Sequence, residues 1–557
     1  MRIIIIGAVA AGTSAAAKAR RNTEEAEITI YEKDRYISYS GCGMPYYLGG
    51  EVEEEAELYP RDPAFFKTKY NVDIHTGHEV ISVDPATKTL QVKDLANGQI
   101  FNDTYDKFLF ATGAIAAVPP IKGADRDNAF VLRNIRDMQA IDAYIEKNAP
   151  QNAVIIGTGF IGMEMCESLV NRGIHVTLLE KQQTISPWLD RDMSAHLKKY
   201  LDLKGVGHIT GISVEQITEN QVLLANGEEI PADLVLLAAG IIPNTALAGK
   251  TGIQLGTTGA IAVNERMETS LKDIYACGDC IEVENIISGK PVYCPLGSTA
   301  NKTGRIAGDR MTGGDLIFRG VLGTGIYKVF DMTVAKTGLG EEQAKLEGIE
   351  TSVCHNIKPN RPEYMHGQEM VIKAVADKKT GRLLGVQIIG YAGVAKRIDV
   401  FATAMTYSAK AEDLFHLDLA YAPPFATTKD PVHYTGMILD NTIRQNSPLI
   451  TPDELHALMK SGERCVIIDT RAQSTYEKGH IKSAINIPLA DLRAALSGIE
   501  KNVSVITYCN KGVTGNAAQN VLIGRGFKMV YNLSGGYKNF STMYPDENEN
   551  TKSGFVQ

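Results

Sequence analysis

The 557-residue chain has no basic block and no long apolar run, and a secretory leader is not expected. Its net charge is −8, with Lys and Arg spread among the acids. Nucleic acid and an anionic membrane are therefore not expected as main partners, although a local basic pocket for a phosphorylated small molecule stays open. No segment approaches the roughly 20 apolar residues of a membrane span. The opening Met1-Arg2-Ile3-Ile4-Ile5-Ile6-Gly7 ends its apolar run in a glycine, which fits a buried parallel strand rather than a leader. The eight cysteines (42, 166, 277, 280, 294, 354, 465 and 509) are scattered, so reduced thiols in the cytoplasm are expected rather than a disulfide framework. Cys277 and Cys280 form C-x2-C without a second ligand pair, which argues for a structural role and no metal. The length calls for three or four domains, and 44% hydrophobic with 22% charged residues is ordinary for globular chains.

What is present is a repeated strand–turn–helix pattern. The first runs from Ile3–Ile6 through a glycine turn and an alanine-rich helix to about Arg21, then the strand Ile28–Glu32. The second runs from Ala153–Ile156 through a helix to about Arg172, then the strand His175–Glu180. Two further strands, Cys465–Asp469 and Val503–Tyr508, belong to a third α/β unit. Between them, from about 322 to 445, strands and helices mix, and the polar stretch Asn441–Pro452 reads as a linker.

Gly157-x-Gly159-x-x-Gly162, enclosing Phe160 and Ile161, follows the second strand, and Glu180 closes the next. Such glycines make the turn, admit a pyrophosphate and pack helix on strand, while the helix N-terminus favours the anion. Glu180 would accept from ribose hydroxyls and repel a 2′-phosphate, favouring NADH, with Lys181 moderating that preference. The first turn has Gly7, Ala10, Gly12 and Glu32 in place but Val9 at the middle position, a weaker pattern. Thr112-Gly113 after a Tyr105–Phe110 strand, and Tyr275-Ala-Cys-Gly-Asp279, resemble segments of the two-dinucleotide-binding flavoproteins. That resemblance implies FAD at the first site, with Asp279 on the ribityl chain, and a nicotinamide cofactor at the second. It extends the cofactor set to Lys33, Val80 and Gly240.

Cys42 lies in Ser38-Tyr39-Ser40-Gly41-Cys42-Gly43-Met44-Pro45-Tyr46-Tyr47. A redox disulfide of C-x4-C form would need a second cysteine where Tyr47 stands, so a dithiol centre is excluded and Cys42 must pair with a small-molecule sulfur or oxygen. The segment resembles the single-cysteine group of NADH oxidases and peroxidases, coenzyme A-disulfide reductases and persulfide reductases. Ser14, Lys18 and Arg21 share one helical face, a spacing equally compatible with a solvated basic surface. The resemblance to coenzyme A-disulfide reductases implies that they bind the ligand's phosphates, together with Ser38. The same resemblance covers Tyr421-Ala-Pro-Pro-Phe425 and Lys429, whose counterparts reach the partner subunit's site and imply a homodimer. Tyr364 is a second tyrosine for the thiol, and Lys69 a further ligand candidate that also reads as a surface lysine. Gly41 and Asn301 depart from the asparagine and histidine usual in that family.

From about 450 the chain resembles a rhodanese domain, through Asp469-Thr470-Arg471, Gly479-His480-Ile481, Ala484–Pro488 and Cys509-Asn510-Lys511-Gly512-Val513-Thr514-Gly515. A loop curled around one sulfur points its N–H groups at a thiolate or persulfide. Thr514 stands where thiosulfate-using loops often carry arginine, so a persulfide or polysulfide donor is expected. Arg471 reads as a structural partner of Asp469.

Together these resemblances imply an α/β protein: an FAD-binding domain (1–111 and 245–321), an NADH-binding domain (112–244), an α+β dimerisation domain (322–445) and a rhodanese domain (446–557). The implied activity is NADH- and FAD-dependent reduction of coenzyme A persulfide, and of related persulfides and polysulfides, at Cys42, with Cys509 as sulfur carrier. Coenzyme A-disulfide reduction, or an oxidase cycle through a Cys42 sulfenic acid, are the alternatives.

Overall fold

A computed structural model describes residues 1–444 and 446–550. The chain forms two compact units, Met1–Gln182 with Val206–Gly323, and Gln183–Gly205 with the described residues from Thr324 onward.

The first unit holds two five-stranded parallel sheets. One runs in the order Ile274–Ala276, Lys107–Phe110, Arg2–Ile6, Glu27–Glu32, Asp73–Thr76. The other runs Gly207–Thr210, His175–Glu180, Asn152–Ile156, Leu234–Leu237, Ala129–Phe130. Helices cover both faces of such sheets, so their strands read as unbroken apolar runs: Ile3, Ile4 and Ile5 are fully buried. Arg2–Ile6 sits between Glu27–Glu32 and Lys107–Phe110, and Asn152–Ile156 between His175–Glu180 and Leu234–Leu237; each is a switch point where a crevice opens at the strand ends. Gly7 and Gly157 turn the chain there with φ of +101° and +105°. A Cβ on either would stand 2.2 or 2.4 Å from the carbonyl oxygen of Ala111 or Ala238, so only glycine fits.

Helix Ala10–Asn22 packs closely on helix Gly297–Met311. A Cβ at Gly304 would lie 2.3 Å from the Ala11 carbonyl oxygen, which is why the contact needs glycine. The close approach sets Asn301 beside Ser14.

The second unit joins an antiparallel sheet (Gly325–Val329, Met332–Gly338, Leu383–Gly390, Glu369–Asp377, Thr351–Pro359) to a parallel one (Leu449–Ile450, Val530–Leu533, Ser504–Tyr508, Cys465–Asp469, Ile485–Asn486). Helix Arg191–Leu203, expected within the region 112–244, groups with this unit. The cause is a buried polar network. Asp192 accepts from His355 Nε2 and Lys373 Nζ, both at 2.7 Å, and Lys373 also reaches Asp190 and Glu341. His355 Nδ1 lies 2.9 Å from Ser534 Oγ, and His196 Nε2 lies 2.9 Å from Asn539 Oδ1. A buried charge needs such partners, and here they come from five separate stretches of chain.

The expected linker Asn441–Pro452 is mostly structured. Helix Pro431–Ile443 runs into it, Leu449–Ile450 pairs with Asn532 and Leu533, and Thr451 caps helix Pro452–Ser461 through Glu454. Its prolines fall just before the strand and at the first helical position, where no backbone donor is needed. Residue 445, the expected domain border, lies outside the described residues, as do 551–557. Among the described residues no helix is long and apolar enough to cross a membrane.

Candidate active site

Cys42 occupies a single turn, Gly41–Gly43, leading into helix Met44–Leu48. Its thiol is free and reaches solvent. The short helix is fastened to Phe160–Asn171: Ser168 Oγ donates to the Pro45 carbonyl (2.6 Å) and the Tyr46 hydroxyl to Glu164 Oε1 (3.1 Å). Surrounding protein atoms partly desolvate the sulfur and push its pKa up; Glu164 and Asp279 add to this, and only Arg133 opposes it. Burial also lifts Glu164 to about 7, with Glu167 adding and the Tyr46 hydrogen bond opposing. Glu164 and Arg133 escaped the sequence reading, because nothing local ties them to a cysteine more than ninety residues away.

Both nucleotide turns suit a dinucleotide. The helices beginning at Ala10 and Phe160 have neither a side-chain cap nor an acid in the first turn, leaving backbone N–H groups for an anion. Val9 serves as N-cap of the first. At Gly159 a Cβ would meet nothing within 4 Å, so the space above that turn is open. Gly12 and Gly162 press against the carbonyl oxygens of Gly7 and Gly157. The two acids at the strand ends play matching parts. Glu32 accepts from the N–H groups of Ala8 and Asp34, and Glu180 from Thr158 and Gln182. Burial raises the Glu32 pKa against those bonds. Each carboxylate thus braces its turn and keeps lone pairs for a ribose. Asp279 Oδ2 accepts from Arg133 Nη2 (2.7 Å), and Thr112 Oγ1 donates to the Asn244 carbonyl (2.7 Å). Gly113 and Gly240 adopt positive φ, Val80 is buried and Lys33 is exposed.

The ligand candidates separate into two groups. Ser14 Oγ donates to Asn301 Oδ1 at 2.7 Å, bringing two of them together. Lys18, by contrast, is committed to Asp309 (2.9 Å) and Asn22 (2.8 Å). Arg21 and Lys69 both lie over the Tyr70 ring, at 5.8 and 5.6 Å, and Arg61 over Phe65 at 5.7 Å. Ser38 takes φ +48° and its N–H bonds the Ala8 carbonyl. In the second unit Tyr364 and Tyr421 are 71% and 47% exposed, and Arg361 Nη1 donates to the Pro424 carbonyl between their two segments.

Cys509 is only 6% exposed. The Gly512 N–H points at its sulfur (3.2 Å), and Gly512, at φ +95°, opens helix Val513–Gly524. A second loop holds the turn from behind: Tyr537 N–H bonds the Cys509 carbonyl (2.8 Å), and Lys538 N–H that of Asn510 (3.1 Å). Gly536 permits this at φ +62°, for a Cβ there would meet the Cys509 carbonyl oxygen at 2.4 Å. Arg471 pairs with Asp469 (2.6 Å) and stacks on Tyr537 (4.3 Å). Cys277 and Cys280 are buried in the turn bearing Asp279, with Cys280 Sγ donating to the Cys277 carbonyl. Among the described residues no group of three His, Cys, Asp or Glu side chains is arranged to hold a metal ion.

Two parallel sheets with paired dinucleotide turns and a thiol between them define a class, and comparison with known proteins names it. Residues 1–300 match the pyridine nucleotide-disulphide oxidoreductases, residues 325–431 the dimerisation domain of the same enzymes, and residues 451–543 a rhodanese-like domain. The chain belongs to the pyridine nucleotide-disulphide oxidoreductase family, which uses FAD and NAD(P)H. Among its relatives is the NAD(P)H sulfur oxidoreductase (CoA-dependent) of Pyrococcus furiosus, 38% identical over 79% of this chain and 99% of that protein. The structure of reduced Bacillus anthracis CoADR-RHD superposes with a TM-score of 0.96 at 36% identity, covering 98% of this chain and 99% of that one. An NAD-dependent persulfide reductase from A. fulgidus gives 0.90, also at 36% identity, over 97% and 100%.

Proposed function

We propose that this protein is an NADH- and FAD-dependent reductase of coenzyme A persulfide, and of related persulfides and polysulfides, acting as a cytoplasmic homodimer. The observation carrying this is the pairing in one chain of a solvent-reachable thiol lacking a partner cysteine, Cys42, with a buried thiol that receives the Gly512 backbone N–H, Cys509. Gly7, Val9, Ala10, Gly12, Glu32 and Asp279 would hold FAD; Gly157, Gly159, Phe160, Ile161, Gly162 and Glu180 would hold NADH. When bound, FAD relays two electrons from NADH to sulfur.

The chain's own residues do the rest. Ser14, Asn301, Arg21, Lys69 and Ser38 orient the ligand. The Cys42 thiolate attacks the inner, carbon-bound sulfur of the persulfide R–S–SH, expels HS⁻ and forms the mixed disulfide Cys42–S–S–R, whose two-electron reduction returns the thiolate and the free thiol RSH. Because Glu164 and burial raise the Cys42 pKa, a bound cationic or hydrogen-bonding group must favour its ionised form. Tyr421, contributed by the partner subunit, and Tyr364 would hydrogen-bond the departing sulfur. Cys509 takes sulfane sulfur from a donor and passes it to coenzyme A or towards Cys42.

NADH oxidation with coenzyme A persulfide, with the symmetrical disulfide and with oxygen alone tests this reading. Clear preference for the disulfide would make the protein a disulfide reductase, and turnover on oxygen alone an oxidase.

A further inference from the structure

The Cys509 turn brings one cation of its own, Lys511, yet more gather at its mouth from elsewhere in the second unit. Strand Thr351–Pro359 ends at Lys358 and Pro359, and Pro359 pairs with Glu369 of the neighbouring strand. Glu369 binds both Lys511 of the turn and Lys538 of the loop behind it, fastening this sheet edge to the cradle. Burial weakens that carboxylate, but the two lysines outweigh it and hold its pKa below the ordinary value.

Lys358 and Lys429 are left over. Both ammoniums approach the Tyr434 ring, at 4.2 and 5.5 Å, and among the described residues neither has a carboxylate partner. Lys358 is half-buried. Burial lowers its pKa, repulsion from Lys511 and Lys429 lowers it further, and only Cys509 pulls the other way. Cations collected without a counter-ion beside a nucleophilic sulfur are poised for an anion.

We propose that Lys358, with Lys429 and Lys511, forms an anion subsite at the mouth of the Cys509 cradle that holds the negative charge of a sulfane-sulfur donor. The subsite rests on the reading of Cys509 as a carrier. In the transfer, the Cys509 thiolate attacks the outer sulfur of R–S–SH. A Cys509–sulfur bond forms, the donor's S–S bond breaks, and its electron pair leaves on RS⁻. The proton stays on the transferred sulfur, giving Cys509–S–SH.

The test uses the full chain carrying Cys42→Ser, without NADH, and measures persulfide on Cys509 by mass spectrometry against donor concentration. Coenzyme A persulfide, inorganic polysulfide and the persulfide of cysteamine, whose ammonium makes it net neutral, are the donors. Lys358→Met should raise the half-loading concentration of the anionic donors about tenfold and leave the neutral one unchanged. Lys358→Arg should restore loading, which separates charge from folding. A shift confined to coenzyme A persulfide assigns the subsite to its phosphates; a shift with polysulfide as well assigns it to the donor's sulfur charge. Equal effects on charged and neutral donors, or none, overturn the subsite. Failure of Cys509 to load from any donor overturns the carrier reading and the subsite with it.

Discussion

The two thiols occupy opposite environments. Cys42 sits on a short, open turn whose neighbours Glu164 and Asp279 discourage its thiolate. Cys509 is almost buried, with a backbone N–H on its sulfur and lysines around its mouth. As the proposed carrier, Cys509 keeps the Gly512 N–H on its sulfur as a permanent part of the fold. A redox thiol served by cofactor and ligand can leave that provision to whatever binds. The contrast teaches that a cysteine's chemistry is set by what surrounds the sulfur, and that the surroundings need not all belong to the protein.

Exchanging the thiols one at a time should break the comparison most sharply. Cys42→Ser should lower NADH oxidation with coenzyme A persulfide by about a thousandfold or more. Cys509→Ser should leave that rate within about twofold while abolishing sulfur loading, both read by NADH absorbance and mass spectrometry. Comparable losses in both variants would erase the distinction between redox centre and carrier.

The cradle's dependence on distant support gives the next largest effect. Asp192→Ala strands Lys373 and His355 in the interior and should cost about 3 kcal/mol or more, measured by denaturant unfolding of the full chain. Gly536→Ala forces a Cβ against the Cys509 carbonyl at a positive φ, so Cys509 loading should fall about tenfold while Cys42 turnover is kept.

The smallest effect concerns Glu164. Its pKa, raised to about 7, means that it gains charge as the pH climbs through neutrality, just where that charge opposes ionisation of Cys42. Glu164→Gln should therefore speed alkylation of Cys42 by iodoacetamide about threefold above pH 7 and change little at pH 6. By the same sign, Glu164 contributes to stability most fully at acidic pH, and the contribution fades as the pH rises through about 7. An unchanged alkylation profile in the variant would show that the acid does not act on the thiol.

The parallel strands and both glycine turns were legible because local constraints enforce them: Gly7 and Gly157 must turn with positive φ, and apolar runs must be buried. The same is true of the Cys509 turn. The ligand side was less legible. Ser14, Lys18 and Arg21 share a helical face as their spacing requires, but that spacing gave no hint that Lys18 faces Asp309, 291 positions away, while Ser14 faces Asn301. The linker was misjudged for the opposite reason: polar residues and prolines suggested a tether, whereas Leu449 and Ile450 found a strand edge to complete.

By itself, the sequence determined the domain types, the two nucleotide turns and the lack of a C-x4-C partner for Cys42, since each follows from a few neighbouring residues. Only the tertiary structure decided which charges lie near each sulfur: Glu164 and Arg133 at one, and at the other Lys358 and the turn's Lys511, paired with Glu369. Electrostatic influence acts through space over a few ångströms, and positions far apart in the chain become neighbours only when it folds.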